Sequence, residues 1–210
     1  MPQYGRLGER DRQRLGTVGR RSSNWSDGGI EVGAAVAPLS GSVYLFKVYC
    51  VAGQLINKVA FWFAGAAGTP THWQFGFYDR PETGTPSVGV AATYARLAAS
   101  ADQLTTAIAA GYKELAMAAA YKVLWDGYYH AALFEIAATP ATLRGVAPNQ
   151  VPMYLGGHDG FNGGSGPVGC RGDTVVQAIA GTVLPATITA DASGAENGKS
   201  ALVVVGDWNP

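Results

Sequence analysis

The stretch from Phe75 to Leu133 constrains the fold more than any other part of the sequence. It opens on an aromatic run that ends in Phe77-Tyr78-Asp79, followed by a turn, Asp79 to Gly84, punctuated by proline and glycine. Leu97-Ala98-Ala99-Ser100-Ala101-Asp102-Gln103 comes next, then a run ending at Leu115, and finally Asp126-Gly127-Tyr128-Tyr129-His130-Ala131-Ala132-Leu133. Asp79 and the Asp126-Gly127 pair read as turn formers, because aspartate bonds its own backbone and glycine takes positive φ.

The flanking sequence continues in the same style. Val43 to Tyr49 is rich in β-branched and aromatic residues and reads as a strand. Leu55 to Phe63 reads as the next, joined through Ala52-Gly53-Gln54, a loop of hairpin length. His72 to Tyr78 is a third, with Val88 to Tyr94 returning antiparallel to it. Tyr128 to Ile136 has strong aromatic content and no proline, as a central strand should. Pro140 to Gly172, with Pro148, Pro152, Pro167 and a run of glycines, reads as a long loop. Thr174 to Ala178 and Ala201 to Val205 close the set. Propensity objects at one place: Ala91 to Leu124 is heavy in alanine, leucine, lysine and glutamate, which favours helix. Gly111 interrupts it, and Tyr112 to Met117 can alternate, with Tyr112, Glu114 and Ala116 on one face and Lys113, Leu115 and Met117 on the other.

In order and spacing, the Tyr78-Asp79 strand end, the Ala99-Ser100-Ala101-Asp102-Gln103 loop and the Gly127-Tyr128-Tyr129 strand start resemble the jelly-roll β-sandwich domain of minor tail and other surface proteins of tailed phages that infect actinobacteria. The resemblance covers about a third of the chain. It implies an all-β, two-sheet jelly-roll-like β-sandwich, with Gly111 to Leu124 extended and the Ser100 to Ala110 stretch a loop or one short turn of helix. About eight strands with turn-like spacing suit such a fold. It also implies a non-enzymatic structural protein of the virion, made in the host bacterial cytoplasm, whose partners are other virion proteins and a host-surface glycan. A minor tail protein is the first expectation, a capsid decoration protein the second, and a carbohydrate-binding module the reading from another class. A homo-oligomer is expected, with the resemblance suggesting a trimer.

Composition agrees with life in an assembly. Apolar residues make up 48% of the 210-residue chain and charged residues only 14%, a low charge fraction for a protein that must stay soluble alone. The formal net charge is zero, so no global field draws the chain to nucleic acid. No apolar stretch is long enough to span a bilayer as a helix, and the charged N-terminus lacks a signal peptide's apolar segment. Residues 1–29 are a different material from the rest. Arg6, Arg10, Arg12, Arg14, Arg20 and Arg21 stand among glycines and serines, with Glu9 and Asp11 between them and no apolar periodicity. Such a segment does not order itself in water. It reads as a basic, extended anchoring arm, with 30–210 as the sandwich domain. Arginine suits docking on a neighbour, since its planar head pairs with carboxylates and stacks on rings.

Candidate chemistry is sparse. His72, His130 and His158 have no His or Cys neighbour at metal-ligand spacing, so no metal is expected. The glycine-rich run Gly156 to Gly164 lacks the lysine and helix of a phosphate loop, and no cofactor is expected. Arg171-Gly172-Asp173 is a chance tripeptide, and Asp191 to Glu196 holds too few acids for calcium. Asp102, Asp126, Asp159 and Asp173 stand in no catalytic motif, so no enzyme is expected. Cys50 and Cys170 read as buried thiols, a bridge between them being the alternative. Among the tryptophans, Trp62 and Trp125 lie within or beside strands and are expected in the core. Trp25 on the arm and Trp208 near the C-terminus are the expected interface anchors, Trp208 serving alternatively as a glycan platform.

Overall fold

The computed structural model describes residues 21–23, 32–79, 92–146, 174–190, 200–201 and 203–207. Among them there is no helix. The strands are β1 (Arg21–Ser23), β2 (Val32–Val36), β3 (Ser42–Cys50), β4 (Leu55–Gly65), β5 (Gly68–Tyr78), β6 (Ala92–Ala99), β7 (Gly111–Lys122), β8 (Gly127–Thr139), β9 (Thr142–Val146), β10 (Thr174–Ala178), β11 (Thr187–Ala190), β12 (Ser200–Ala201) and β13 (Val203–Gly206). They form two antiparallel sheets packed face to face, an all-β sandwich. Sheet A runs β1-β13-β4-β9-β12, with β7 on the other edge of β4 and β2 on β9. Sheet B runs β10-β3-β8-β5-β6-β11.

Period-two patterning builds the core between the sheets. Sheet A sends in Val59, Phe61 and Phe63 from β4 and Val203 and Val205 from β13. Sheet B answers with Tyr44, Phe46 and Val48 from β3, Trp73, Phe75 and Phe77 from β5, and Tyr129, Ala131 and Leu133 from β8. Ring contacts cross the layer: Phe61 meets Phe75 edge to face at 4.8 Å.

Sheet B is buried on its outer face as well. Val43, Leu45, Tyr78, Tyr94, Ala132 and Phe134 form a second cluster under Leu184 and Ile188. This explains why β3 and β8 read as continuous apolar runs rather than alternating ones. The segment between β10 and β11 is pinned over the sheet by hydrogen bonds: Leu184 N donates to Gln74 Oε1 at 2.8 Å, Tyr78 O–H to Pro185 O at 2.7 Å, and Arg96 Nη1 to Leu184 O. Gly76 lets it lie close, because a Cβ there would stand 2.7 Å from Leu184 Cδ1.

Four expectations need correction. β3 and β4 are not a hairpin: β3 pairs with β8 and β10 in sheet B, β4 with β7, β13 and β9 in sheet A, so Ala52-Gly53-Gln54 crosses between sheets. Both strands have a full apolar inner face, and pairing them side by side would leave the core with one wall. The segment after Pro140 is not loop at its start, since Thr142–Val146 is a strand in sheet A. Trp62 and Trp125 are not core residues; they are 39% and 67% exposed. The reason is parity for Trp62, which lies between the inward Phe61 and Phe63, and a turn for Trp125.

β7 is extended despite its alanines. It pairs antiparallel with β4 from Phe63↔Gly111 to Lys58↔Ala116, and again at Ile56↔Tyr121 and Leu55↔Lys122. Between those blocks β4 advances two residues (56 to 58) while β7 advances five (116 to 121), so the alanine run Ala118-Ala119-Ala120 is taken up in a solvent-exposed bulge.

Arg6, Arg10, Arg12, Arg14, Arg20, Trp25, Trp208, Cys170, His158, Gly156 to Gly164, Asp159, the Arg171-Gly172-Asp173 tripeptide and Asp191 to Glu196 lie outside the described residues. Arg21 opens β1, which pairs with the β13 edge (Arg21↔Gly206, Ser23↔Val204). Cys50 is fully buried.

Candidate functional site

Of the acids and histidines singled out in the sequence, His72, His130, Asp102 and Asp126 lie among the described residues, and their contacts there are with the scaffold. Where β6 ends, the chain bends away from β5 and two side chains take over as acceptors. Ser100 Oγ receives Phe75 N–H at 3.1 Å, and Asp102 Oδ1 receives Trp73 N–H at 3.2 Å. The backbone keeps pace, with Ser100 N donating to Phe75 O and Gln103 N to Trp73 O, each at 2.9 Å. Asp102 Oδ2 lies 2.6 Å from His72 Nδ1, and Trp73 Nε1 donates to Thr106 O. The Ser-x-Asp-Gln spacing is therefore the device that lets an irregular loop satisfy a strand's N–H groups.

Asp126 serves a second junction. Its Oδ1 accepts Ala52 N–H at 2.7 Å, tying the β7–β8 turn to the β3–β4 crossing. Val123 exchanges backbone hydrogen bonds with the same crossing, accepting from Gly53 N and donating to Gln54 O, each at 2.8 Å. Gly53 has φ +82°, the left-handed value that lets the crossing turn there. Tyr129 O–H holds the carbonyl of Trp125 at 3.1 Å. Two loops are thus clasped into one rigid end of the sandwich. From it Leu124 and Trp125 project, 60% and 67% exposed. On the outer face of sheet B beside this end, Tyr49 and Tyr128 pair across β3 and β8 and meet edge to face at 5.3 Å.

His130 is buried in β8 and packs edge-on to Tyr94 at 4.9 Å, in keeping with a sheet histidine. Glu135 is the one buried acid among the described residues. It is 1% exposed, both its oxygens face Ala141 N–H at 3.1 Å, and burial raises its pKa while that hydrogen bond lowers it by less. Among the described residues no three His, Cys, Asp or Glu side chains gather as metal ligands, and no helix is long and apolar enough to cross a membrane.

A second exposed surface lies on the outer face of sheet A. Trp62 and Tyr112 are directly paired across β4 and β7, with rings 5.2 Å apart at 63°. Two residues further along the same face stands Glu114, opposite Ala60. Its Oε2 accepts Tyr112 O–H at 3.0 Å and its Oε1 accepts Lys58 Nζ at 3.1 Å. Tyr112 and Trp125 stand near opposite ends of β7, whose paired span on β4 from Trp62 to Leu55 is about 23 Å at ~3.3 Å per strand residue. The sequence reading missed both surfaces by placing Trp62 and Trp125 in the core. The signal that finds Trp62 is its position between Phe61 and Phe63, since three consecutive aromatics on a strand cannot all face inward.

Comparison with known proteins finds no family model and no curated protein that matches the chain.

Proposed function

We propose that this chain is a non-enzymatic structural protein of a tailed-phage virion, a jelly-roll sandwich that works by contact. The single observation that carries the reading is the clasped end of the sandwich. There the backbone is held from both sides, while Leu124 and Trp125 are kept out in solvent. A rigid, exposed tryptophan and leucine cost little entropy to dock and suit the centre of a protein interface. Asp102, Asp126 and His72 meanwhile have their described contacts within the scaffold.

A minor tail protein is the placement proposed, with capsid decoration as the second. The basic arm grips a neighbouring subunit: ordering it costs roughly 1–2 kcal/mol per residue in backbone entropy, and its composition offers no core of its own to offset that. The protomers form a homo-oligomer, a trimer on the resemblance given above. Localising the chain in the intact particle by electron cryomicroscopy tests the placement. Density for the sandwich at the tail is the expected result, density on the shell favours decoration, and absence from purified particles ends the proposal.

A further inference from the structure

We propose that the outer face of sheet A, at Trp62, Tyr112, Glu114 and Lys58, is a carbohydrate-binding platform that takes a pyranose polymer. It rests on the virion reading only for where such a polymer would be met; the site itself is argued from the chain. The two aromatic rings are 39% and 40% exposed, on paired strands of a sheet rather than on a loop. Register places them side by side, and their mutual contact fixes both. The axial C–H groups of a sugar ring pack on such rings, because the π face is negative and the C–H edge weakly positive.

The polar groups beside the rings select a hydroxyl-rich ligand over an ion. Glu114 is locked between Tyr112 O–H and Lys58 Nζ, so acceptor and donor stand together next to the aromatic surface. On the other flank of β4, Phe63 pairs with the buried Leu143, so the exposed Arg144 that follows it on β9 has the outward parity. Both signs of charge are present, so an ionic ligand of either sign meets a like charge. Sugar hydroxyls both donate and accept, and they profit from each. A small residue leaves room beside the polar pair: the exposed Ala116 stands opposite Lys58. The platform is also pre-assembled, since none of these contacts has to form on binding.

The Leu124–Trp125 tip provides the internal control. It is more exposed than Trp62 but stands on a turn rather than on a sheet face, so it suits a protein pocket rather than a sugar. The full chain is titrated by affinity electrophoresis and calorimetry against four probes: a soluble glucan, a galactan, a mannan and an N-acetylglucosamine tetramer. At least one should bind. Trp62→Ala should weaken that binding by about tenfold or more, Glu114→Gln by a smaller factor, and Trp125→Ala should leave it unchanged; a factor of ten is the loss expected of one good contact. Thermal melts establish that each variant folds, and Glu114→Gln keeps the test alive if Trp62→Ala does not. Failure of all four probes to bind the wild type overturns the proposal. So does a Trp62→Ala and Glu114→Gln pair that binds as the wild type does, or a loss that follows Trp125 instead. None of these outcomes touches the chain's placement in a particle, and its absence from particles would leave a measured sugar affinity standing.

Discussion

Asp102 shows how much one side chain can do without chemistry. Its two oxygens serve Trp73 N–H and His72 Nδ1 at once, in a place where the strand has lost its neighbour's carbonyls. Asp102→Ala orphans a backbone donor beside a buried tryptophan and should destabilise the fold by about 1–3 kcal/mol. Chemical denaturation should report that loss, and Asp102→Asn, which keeps one acceptor oxygen, should recover part of it. Glu135 works in the opposite sense. Burial raises its pKa above the usual carboxylate range, so the folded chain holds this proton more tightly than the unfolded chain does. Its cost is therefore absent at pH values below the ordinary glutamate pKa. It grows as pH rises from there through the raised folded value, and is complete above it. Glu135→Gln keeps an oxygen for Ala141 N–H and removes the ionisation. The variant should therefore be more stable than the wild type at pH 8, and the difference should shrink as pH falls towards 4. Denaturant melts of both chains across that range read it directly. A wild type and variant with parallel stability–pH curves would show that Glu135 ionises as easily folded as unfolded.

At the scale of elements, sheet B is a layer buried on both sides, and its outer cover is a short segment held by three hydrogen bonds from Gln74, Tyr78 and Arg96. The fit is close at Gly76. Gly76→Ala places a Cβ 2.7 Å from Leu184 Cδ1, inside contact distance, and Leu184 is fully buried with little freedom to move. A loss of about 1–3 kcal/mol is expected. Leu184→Val alone leaves a small void, yet combined with Gly76→Ala it should cost less than the sum, a coupling that a double-mutant cycle reads directly. This layer also explains what was legible in the sequence. β3, β5 and β8 could be read because aromatic and β-branched residues crowd them, whether one face or two are buried. β7 was less legible: Tyr112 to Met117 can alternate but did not decide between strand and helix, and only the resemblance made Gly111 to Leu124 extended. Sheet membership was not legible. Ala52-Gly53-Gln54 has the length of a hairpin, and only the need for two opposed apolar walls sends β3 and β4 to different sheets. The cover segment was missed too, because Ile179 to Ile188 is short and carries no period. Trp125 was misread since nothing local distinguishes a strand-flanking tryptophan that packs from one that a turn carries outward.

At the scale of the whole molecule, the boundary between arm and sandwich becomes a measurable quantity. Read from composition, the arm ends at Gly29, yet Arg21–Ser23 already pairs with the β13 edge of sheet A. Two truncations separate the docking segment from the strand. A chain beginning at Arg21 keeps β1 and loses Arg6, Arg10, Arg12, Arg14 and Arg20. It should melt within the error of the full-length protein, because the sandwich is whole, and on the proposed virion role it should fail to join the particle, because the basic segment is gone. A chain beginning at Ile30 also loses β1, which uncovers the edge of β13 at Val204 to Gly206. Three lost cross-strand positions should cost about 1–2 kcal/mol. The bared edge offers unpaired N–H and C=O groups to another copy. Size-exclusion chromatography with light scattering should then show self-association rising with concentration for the shorter chain alone. If the chain starting at Arg21 still enters particles at full occupancy, the basic segment is not the anchor, and the Leu124–Trp125 end becomes the contact to test by Trp125→Ala. If the two truncations melt and associate alike, β1 adds nothing to sheet A, and the arm reaches to Gly29 as its composition says.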